Sequence, residues 1–347
     1  MLLRLNIFTS LMIASAVILV FMNSLVERYG RRVQRVLRLE IREPFVYESF
    51  QLERQTDSKK STIPKNKVFS TPNFSKLKTF LLFIGYPRSG STLTGSLLDA
   101  HPSVIIANEY NLFIKWKNFT DKQKNKHYIC NQLWNNSVAE TRHQRAVSKK
   151  YFFQYYVPGL WQGLYQDPIQ VIGDKKCSTT TRALANNKNH YNELKAALKT
   201  QIKFIHIIRN PFDNVATMML RASHNGLRIK VEKEKKKIYN LGELKKQTRI
   251  YLNLVDMNVK LRKQYTGQIL DVYYGNIIMD AKKSLLRICE FLEIICDNEY
   301  LEKASSIVFK NETFTRRFVY WDEHIKRKIL DKIENVTFLN GFKFNVS

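Results

Sequence analysis

The residues that most clearly invite a chemical reading stand in one short string, Gly85-Tyr86-Pro87-Arg88-Ser89-Gly90-Ser91-Thr92. It follows the apolar run Phe80 to Gly85 and opens onto Ser91 to Ala100, where Leu93, Leu97 and Leu98 recur at helical spacing. Backbone N–H groups at the start of a helix converge on an anion, and Gly90 lets the main chain approach it closely, so the string reads as a phosphate-binding turn. Its spacing matches a nucleoside triphosphate loop except that Ser91 stands where such a loop carries Lys. Kinases and triphosphatases use that Lys, with Mg²⁺, to hold the β- and γ-phosphates. Arg88 inside the turn suits a less charged terminal group held without metal, as in a phosphosulfate. A second anion site is encoded downstream. Arg209 ends the apolar run Ile202 to Ile208 and Pro211 opens a helix, so a guanidinium, a helix start and the Thr217 hydroxyl two turns on can converge.

The elements that must position these groups alternate. Strands are expected at Phe80 to Gly85, Val104 to Ala107, Ile169 to Gly173, Ile202 to Ile208 and Gln268 to Tyr273. Helices are expected at Ser91 to Ala100, Tyr191 to Leu198, Pro211 to Ser223 and Met279 to Leu292. Such alternation predicts an α/β, P-loop-like three-layer fold: a central, mainly parallel sheet flanked by helices, with ligands gathering beyond the carboxyl ends of the strands. The composition permits it. The 347 residues are 44% apolar with only 12 Gly and 8 Pro, which excludes a collagen-like or wholly disordered chain. The 57 Lys and Arg against 30 Asp and Glu leave a formal charge of +27, which calls for an anionic partner without choosing among them. Four Cys, without zinc-ligand spacing, predict neither a disulfide scaffold nor a structural metal; whether Cys289 and Cys296 pair is open.

Residues 5–26 carry no charge and as a helix would span roughly 33 Å, enough to cross a bilayer. We read residues 1–4 as a short tail, 5–26 as an uncleaved transmembrane signal anchor, 27–78 as a stem and 79–347 as the catalytic domain. Orientation signals conflict. Five Arg between positions 28 and 38 favour a cytoplasmic bulk, whereas six Asn-x-Ser/Thr sequons, at Asn73, Asn118, Asn135, Asn311, Asn335 and Asn345, favour a lumenal one.

Tyr86-Pro-Arg-Ser-Gly-Ser-Thr92, followed by Leu98-Asp-Ala-His-Pro102, resembles the 5′-phosphosulfate loop of the sulfotransferase family. The resemblance runs from about Phe80 to Phe344. It implies that Arg88, Ser89, Gly90, Ser91 and Thr92 bind the phosphosulfate of 3′-phosphoadenosine 5′-phosphosulfate (PAPS), a co-substrate used without metal. It further implies that Arg209 and Thr217 bind the 3′-phosphate, with Arg221 matching an Arg of the Golgi tyrosylprotein sulfotransferases. Tyr274, in Ile269-Leu-Asp-Val-Tyr-Tyr-Gly-Asn-Ile277, is similar to the Tyr lining the family's adenine pocket, although Gly275 and Asn276 depart from that pattern. Thr315-Arg316-Arg317 with Trp321 resembles the loop that closes over the nucleotide.

Sulfuryl transfer to a hydroxyl needs a base for the departing proton and positive charge over the bridging oxygen. Glu109, at the end of the second strand where several Golgi sulfotransferases place a catalytic Glu, is the expected base. Lys175 is expected at the leaving oxygen, with Lys176 left as the alternative, and His101 and Cys177 are read as structural. The resemblance implies a single-pass Golgi membrane enzyme with a lumenal catalytic domain, acting on a glycan or protein hydroxyl rather than on nucleic acid. A tyrosylprotein acceptor, a P-loop kinase and an inactive tethered nucleotide- or glycan-binding protein are the rival readings. Oligomeric state is not legible.

Overall fold

The structure, a computed structural model, describes residues 72–141, 155–165, 168–223 and 237–345. The expected anchor at 5–26 and most of the expected stem lie outside the described residues. Among the described residues no helix is long and apolar enough to cross a membrane.

Five strands form one wholly parallel sheet: β1 (Thr79–Gly85), β2 (Val104–Asn108), β3 (Val171–Lys175), β4 (Gln201–Ile208) and β5 (Ile269–Tyr273), in the order β2-β3-β1-β4-β5. Buried β1 shows why these residues choose strand. Phe80, Leu82 and Ile84 pack into one apolar cluster, and Leu81 and Phe83 into another on the opposite face. Helices Lys126–Glu140 and Asn189–Leu198 cover the first face, Ser91–Asp99 and Ala281–Leu292 the second. A third cluster joins the helices Pro211–Ser223, Leu241–Gln264 and Glu323–Asn335 beside the end of β4.

Several expected boundaries shift by one or two residues, and two differences have a visible reason. β3 continues two residues beyond Gly173 because Asp174 and Lys175 pair with Ala107 and Asn108 of β2. Charge at a strand end does not end a strand when the side chain has somewhere to go. The helix expected from Met279 is broken at Asp280, whose φ is −147° and whose carboxylate caps Lys283 N–H at 2.9 Å, so a short helix Tyr274–Met279 precedes Ala281–Leu292. β2, at the sheet edge, has its unpaired side satisfied: Ile106 N–H donates to Asp99 Oδ1 at 2.7 Å and Asn108 N–H to Asn136 Oδ1 at 2.7 Å.

Cys289 and Cys296 form a disulfide across a separation of seven residues. The loop it closes carries the Ile295 carbonyl, which meets His101 Nε2 at 2.9 Å, while the Tyr300 hydroxyl donates to Leu97 O at 3.0 Å. His101 thus braces the far end of the helix that begins at the phosphate turn, the structural role expected of it. Replacing Cys289 by Ser should remove about 2–3 kcal/mol of loop-closure stabilisation. For a domain of this size, thermal melting should then show Tm falling by about 4–6 °C.

Candidate functional site

Because the sheet is parallel, all five strands deliver their carboxyl ends to one edge. Beyond that edge lies a cavity of about 380 Å³, and each strand supplies part of its wall: the turn after β1, Glu109 after β2, Lys175 at the end of β3, Arg209 after β4 and Tyr274 after β5. Arg88, Gly90, Ser91, Thr92 and Thr217 also line it. Of the residues expected to bind the donor, Ser89 and Arg221 do not line it, nor do Thr315, Arg316, Arg317 and Trp321 of the segment expected to close over the nucleotide. Ser89 is buried and its hydroxyl donates to Tyr86 O at 2.9 Å, closing the turn from within. Arg221 is half-buried in the last turn of its helix, one turn beyond Thr217.

The phosphate turn is held in a shape its own residues resist. Arg88 sits at φ 65° and Gly90 at φ 101°, with Gly90 capping the following helix. Neighbouring elements hold the turn. Gly85 N–H donates to Thr181 Oγ1 at 2.9 Å, Asn214 Nδ2 donates to Pro87 O at 2.8 Å, and Tyr86, fully buried, stacks on Tyr251 with centroids 4.5 Å apart. Only Gly fits at position 90: a Cβ there would lie 2.2 Å from Cδ2 of the Tyr274 ring. The tyrosine therefore lies against the turn, and its ring centroid is 5.1 Å from the Arg209 guanidinium carbon.

Arg209 is buried and oriented by four acceptors. Nη1 donates to Thr217 Oγ1 at 3.1 Å and more distantly to Arg88 O at 3.4 Å; Nη2 donates to Thr313 O at 3.0 Å and Thr315 Oγ1 at 3.1 Å. Thr217 passes its own proton back to Asp213 O at 2.7 Å. Arg316 is ion-paired to buried Asp213, and its N–H donates to Asp213 Oδ1 at 2.9 Å. The Thr315–Arg316 segment is thereby locked to the helix that carries Thr217.

On the opposite wall, Lys175 is buried, its stem lying along Gly95. Its ammonium donates to Glu109 Oε1 at 2.5 Å and Thr92 Oγ1 at 3.1 Å. Lys176 donates to the other carboxylate oxygen of Glu109. Burial pushes the Glu109 pKa up, but the two lysines outweigh it and hold the carboxyl below its ordinary value. It is ionised at neutral pH. Cys177, also in the wall, is pushed up to about 11 by burial and remains a thiol. Four cations (Arg88, Lys175, Lys176, Arg209) face the cavity against one carboxylate, a balance that suits a polyanionic ligand. Among the described residues no group of three or more His, Cys, Asp and Glu is arranged to hold a metal ion.

Against known proteins, the sulfotransferase family matches residues 81–298. The chain belongs to the sulfotransferase family. It is accordingly a PAPS-dependent sulfuryl-transfer enzyme, and the turn after β1 lies within the matched range. No curated protein matches the chain. Among solved structures it is similar to the sulfotransferase domain of the Synechococcus PCC 7002 olefin synthase, at 15% identity over 80% of this chain and 94% of that one (TM-score 0.36). It is also similar to the sulfotransferase STF9 of Mycobacterium avium, at 14% identity over 75% and 77% (TM-score 0.42), and to mouse SULT7A1 complexed with PAP, at 14% over 76% and 85% (TM-score 0.39).

Some of the sulfotransferase's cavity lining carried no sequence signal. Tyr155 arrives in a segment tied down by Gln162, whose Nε2 donates to Ser96 O at 2.9 Å and to Tyr155 O at 2.7 Å. Asn108 and Ser178 join it only because strand ends and helix starts meet there. The Gly90–Tyr274 contact yields a direct test. Gly90→Ala should weaken binding of adenosine 3′,5′-bisphosphate at least tenfold in calorimetry, and the double variant with Tyr274→Ala should recover part of the loss that is due to the ring.

Proposed function

We propose that this sulfotransferase moves the sulfuryl group of PAPS to a glycan hydroxyl, with Glu109 as the base. The observation that carries the reading is the convergence, in one cavity, of the phosphate turn, the Arg209–Thr217 pair and the Glu109–Lys175–Thr92 cluster. In this reading the turn and Ser91–Thr92 hold the phosphosulfate, Arg209 and Thr217 hold the 3′-phosphate, and Tyr274 packs against the nucleotide. The acceptor oxygen attacks sulfur while the bond from sulfur to the 5′-phosphate oxygen breaks in line, releasing adenosine 3′,5′-bisphosphate. The acceptor proton passes to Glu109. Lys175, already within reach of Thr92 at the helix start, is placed to neutralise the leaving oxygen. A bound donor offers both lysines anionic oxygens in exchange for Glu109, which frees the carboxylate as acceptor of the proton.

A glycan acceptor is supported by the cationic mouth and by the polar and aromatic groups Asn108, Ser178 and Tyr155 beside Glu109. Lumenal placement behind an N-terminal anchor is supported by two features. The Cys289–Cys296 disulfide belongs to oxidising compartments, and all six sequon asparagines are exposed, where a glycan would meet no packed side chain.

Two measurements test this. Calorimetric titration of the full chain with adenosine 3′,5′-bisphosphate in the absence of Mg²⁺ should show tight binding that collapses in Arg209→Ala; no binding by folded wild type would sink the donor site. With labelled PAPS and a panel of desulfated glycans and acidic tyrosyl peptides, Glu109→Gln should lower kcat by about 10²–10⁴ while leaving nucleotide binding intact. Turnover confined to the peptides would replace the glycan by a tyrosine acceptor, and no turnover with normal nucleotide binding would favour a binding protein. The pH dependence has a defined sign. In the free enzyme the Glu109 carboxyl is held low by two cations, so the acid limb of kcat/KM, which reports the free enzyme, lies below the ordinary carboxylate range. Lys176→Ala removes one cation and should move that limb to higher pH.

A further inference from the structure

Glu109 owes its place to an unusual piece of backbone. It sits at φ 58°, and Asn111, two residues on, at φ 67° and ψ 53°, so two non-glycine residues in a row of three occupy the left-handed region. Such a turn persists only where its surroundings over-determine it. On the upstream side the ladder does so, since Glu109 N–H donates to Lys175 O at 3.1 Å. On the downstream side the next amide, Leu112 N–H, donates to Asp174 Oδ2 at 2.8 Å. Asp174 is 1% exposed, lies on β3 immediately before Lys175, and its Oδ1 has no hydrogen-bond partner among the described residues. A carboxylate buried with half its capacity unused is costly, and a purely structural strand position would be better filled by an apolar residue.

We infer that Asp174 is a positioning residue for the sulfuryl-transfer reaction: by accepting the Leu112 amide it pins the turn Glu109–Asn111, and so holds the Glu109 carboxylate on Lys175 and Lys176. The inference rests on Glu109 being the base. β3 thus serves the site from both faces, Lys175 directly and Asp174 through the backbone that carries its partner. The ionisable groups facing Asp174 are Lys175, Lys176 and Glu109, with the Tyr110 hydroxyl nearby. Burial pushes the Asp174 pKa up to about 6; the Leu112 amide, Lys175 and Lys176 oppose the rise and Glu109 adds to it. Protonation below that pH leaves the remaining oxygen able to accept from Leu112. An amide should therefore replace the acid, whereas a side chain with no acceptor should not.

The test compares full-length wild type, D174N, D174L, D174A and E109Q. D174L keeps the volume and removes the acceptor, and D174A repeats the deletion should D174L fold poorly. Hydrogen exchange of the segment 108–113 is read first. At least tenfold faster exchange in D174L or D174A, with D174N near wild type, is expected; wild-type exchange in the deletion variants overturns the inference whatever the kinetics. Turnover of labelled PAPS with desulfated glycans and tyrosyl peptides is read second. The deletion variants should lose at least tenfold in kcat with the donor KM within threefold, and their acid limb should rise in pH as Glu109 leaves its lysines. D174N should be spared both effects. Equal losses in D174N and D174L would assign the effect to charge and overturn the positioning role. Loss in E109Q with full kcat in D174L would defeat this inference alone, whereas wild-type kcat in E109Q would defeat the base reading and this inference with it.

Discussion

Everything at this site depends on parallel pairing. In a parallel sheet the strands share a direction, so the ends of β1 to β5 must emerge on one edge, and the register places Gly85 opposite Ile207 and Lys175 opposite Asn108. Residues far apart in the chain are thereby brought to within a few ångströms without any loop having to search for them. Helices on both faces pack the strands in buried apolar layers, and the cavity lies beyond that edge. The strand order also helps. The chain leaves β1 toward β2 and β3 on one side and returns to β4 on the other, so the turn after β1 opens where connections diverge and a crevice remains.

The second constraint is the concentration of cations in that crevice. Four positive side chains around one cavity repel one another unless each is held by partners. Arg209 is held by carbonyls and hydroxyls that orient its guanidinium without cancelling its charge, which preserves attraction for an anion. Lys175 and Lys176 are instead held by the Glu109 carboxylate, which carries a charge of its own. One wall therefore holds its cation through neutral acceptors, the other through an opposite charge.

The buried Asp213–Arg316 pair shows how a distant segment joins the site. Neither side chain reaches the cavity, yet the ion pair and the Arg316 amide fix the Thr313–Thr315 backbone against the helix Pro211–Ser223. Removing one partner would leave a buried charge uncompensated, so the segment is held firmly even though the pair itself adds little net stability. Thr313 and Thr315 can then act on Arg209 as though they belonged to the same element.

The sequence by itself determined the five strands, the alternating architecture and the Gly-bearing turn after β1, because each is local: short β-branched or aromatic runs, period-3.6 apolar patterns and a Gly between strand and helix state their own conformation. It also marked Glu109, Lys175, Arg209 and Tyr274 as residues at strand ends, and Thr217 as a hydroxyl two turns beyond Arg209. What it left open were pairings across the chain. Whether Cys289 meets Cys296, that Ser89 turns inward, that Tyr274 lies on Gly90, that β3 runs on to Lys175 and that Asp174 caps Leu112 all depend on where a distant element is placed. The helices Lys126–Glu140 and Leu241–Gln264 went unread for a related reason. Their capping residues, Asn125 and Asn240, are ordinary in sequence and become signals only when the amides they satisfy are in place. Local patterning selects conformations one segment at a time, while the site is made of contacts between segments, and only packing the sheet decides those.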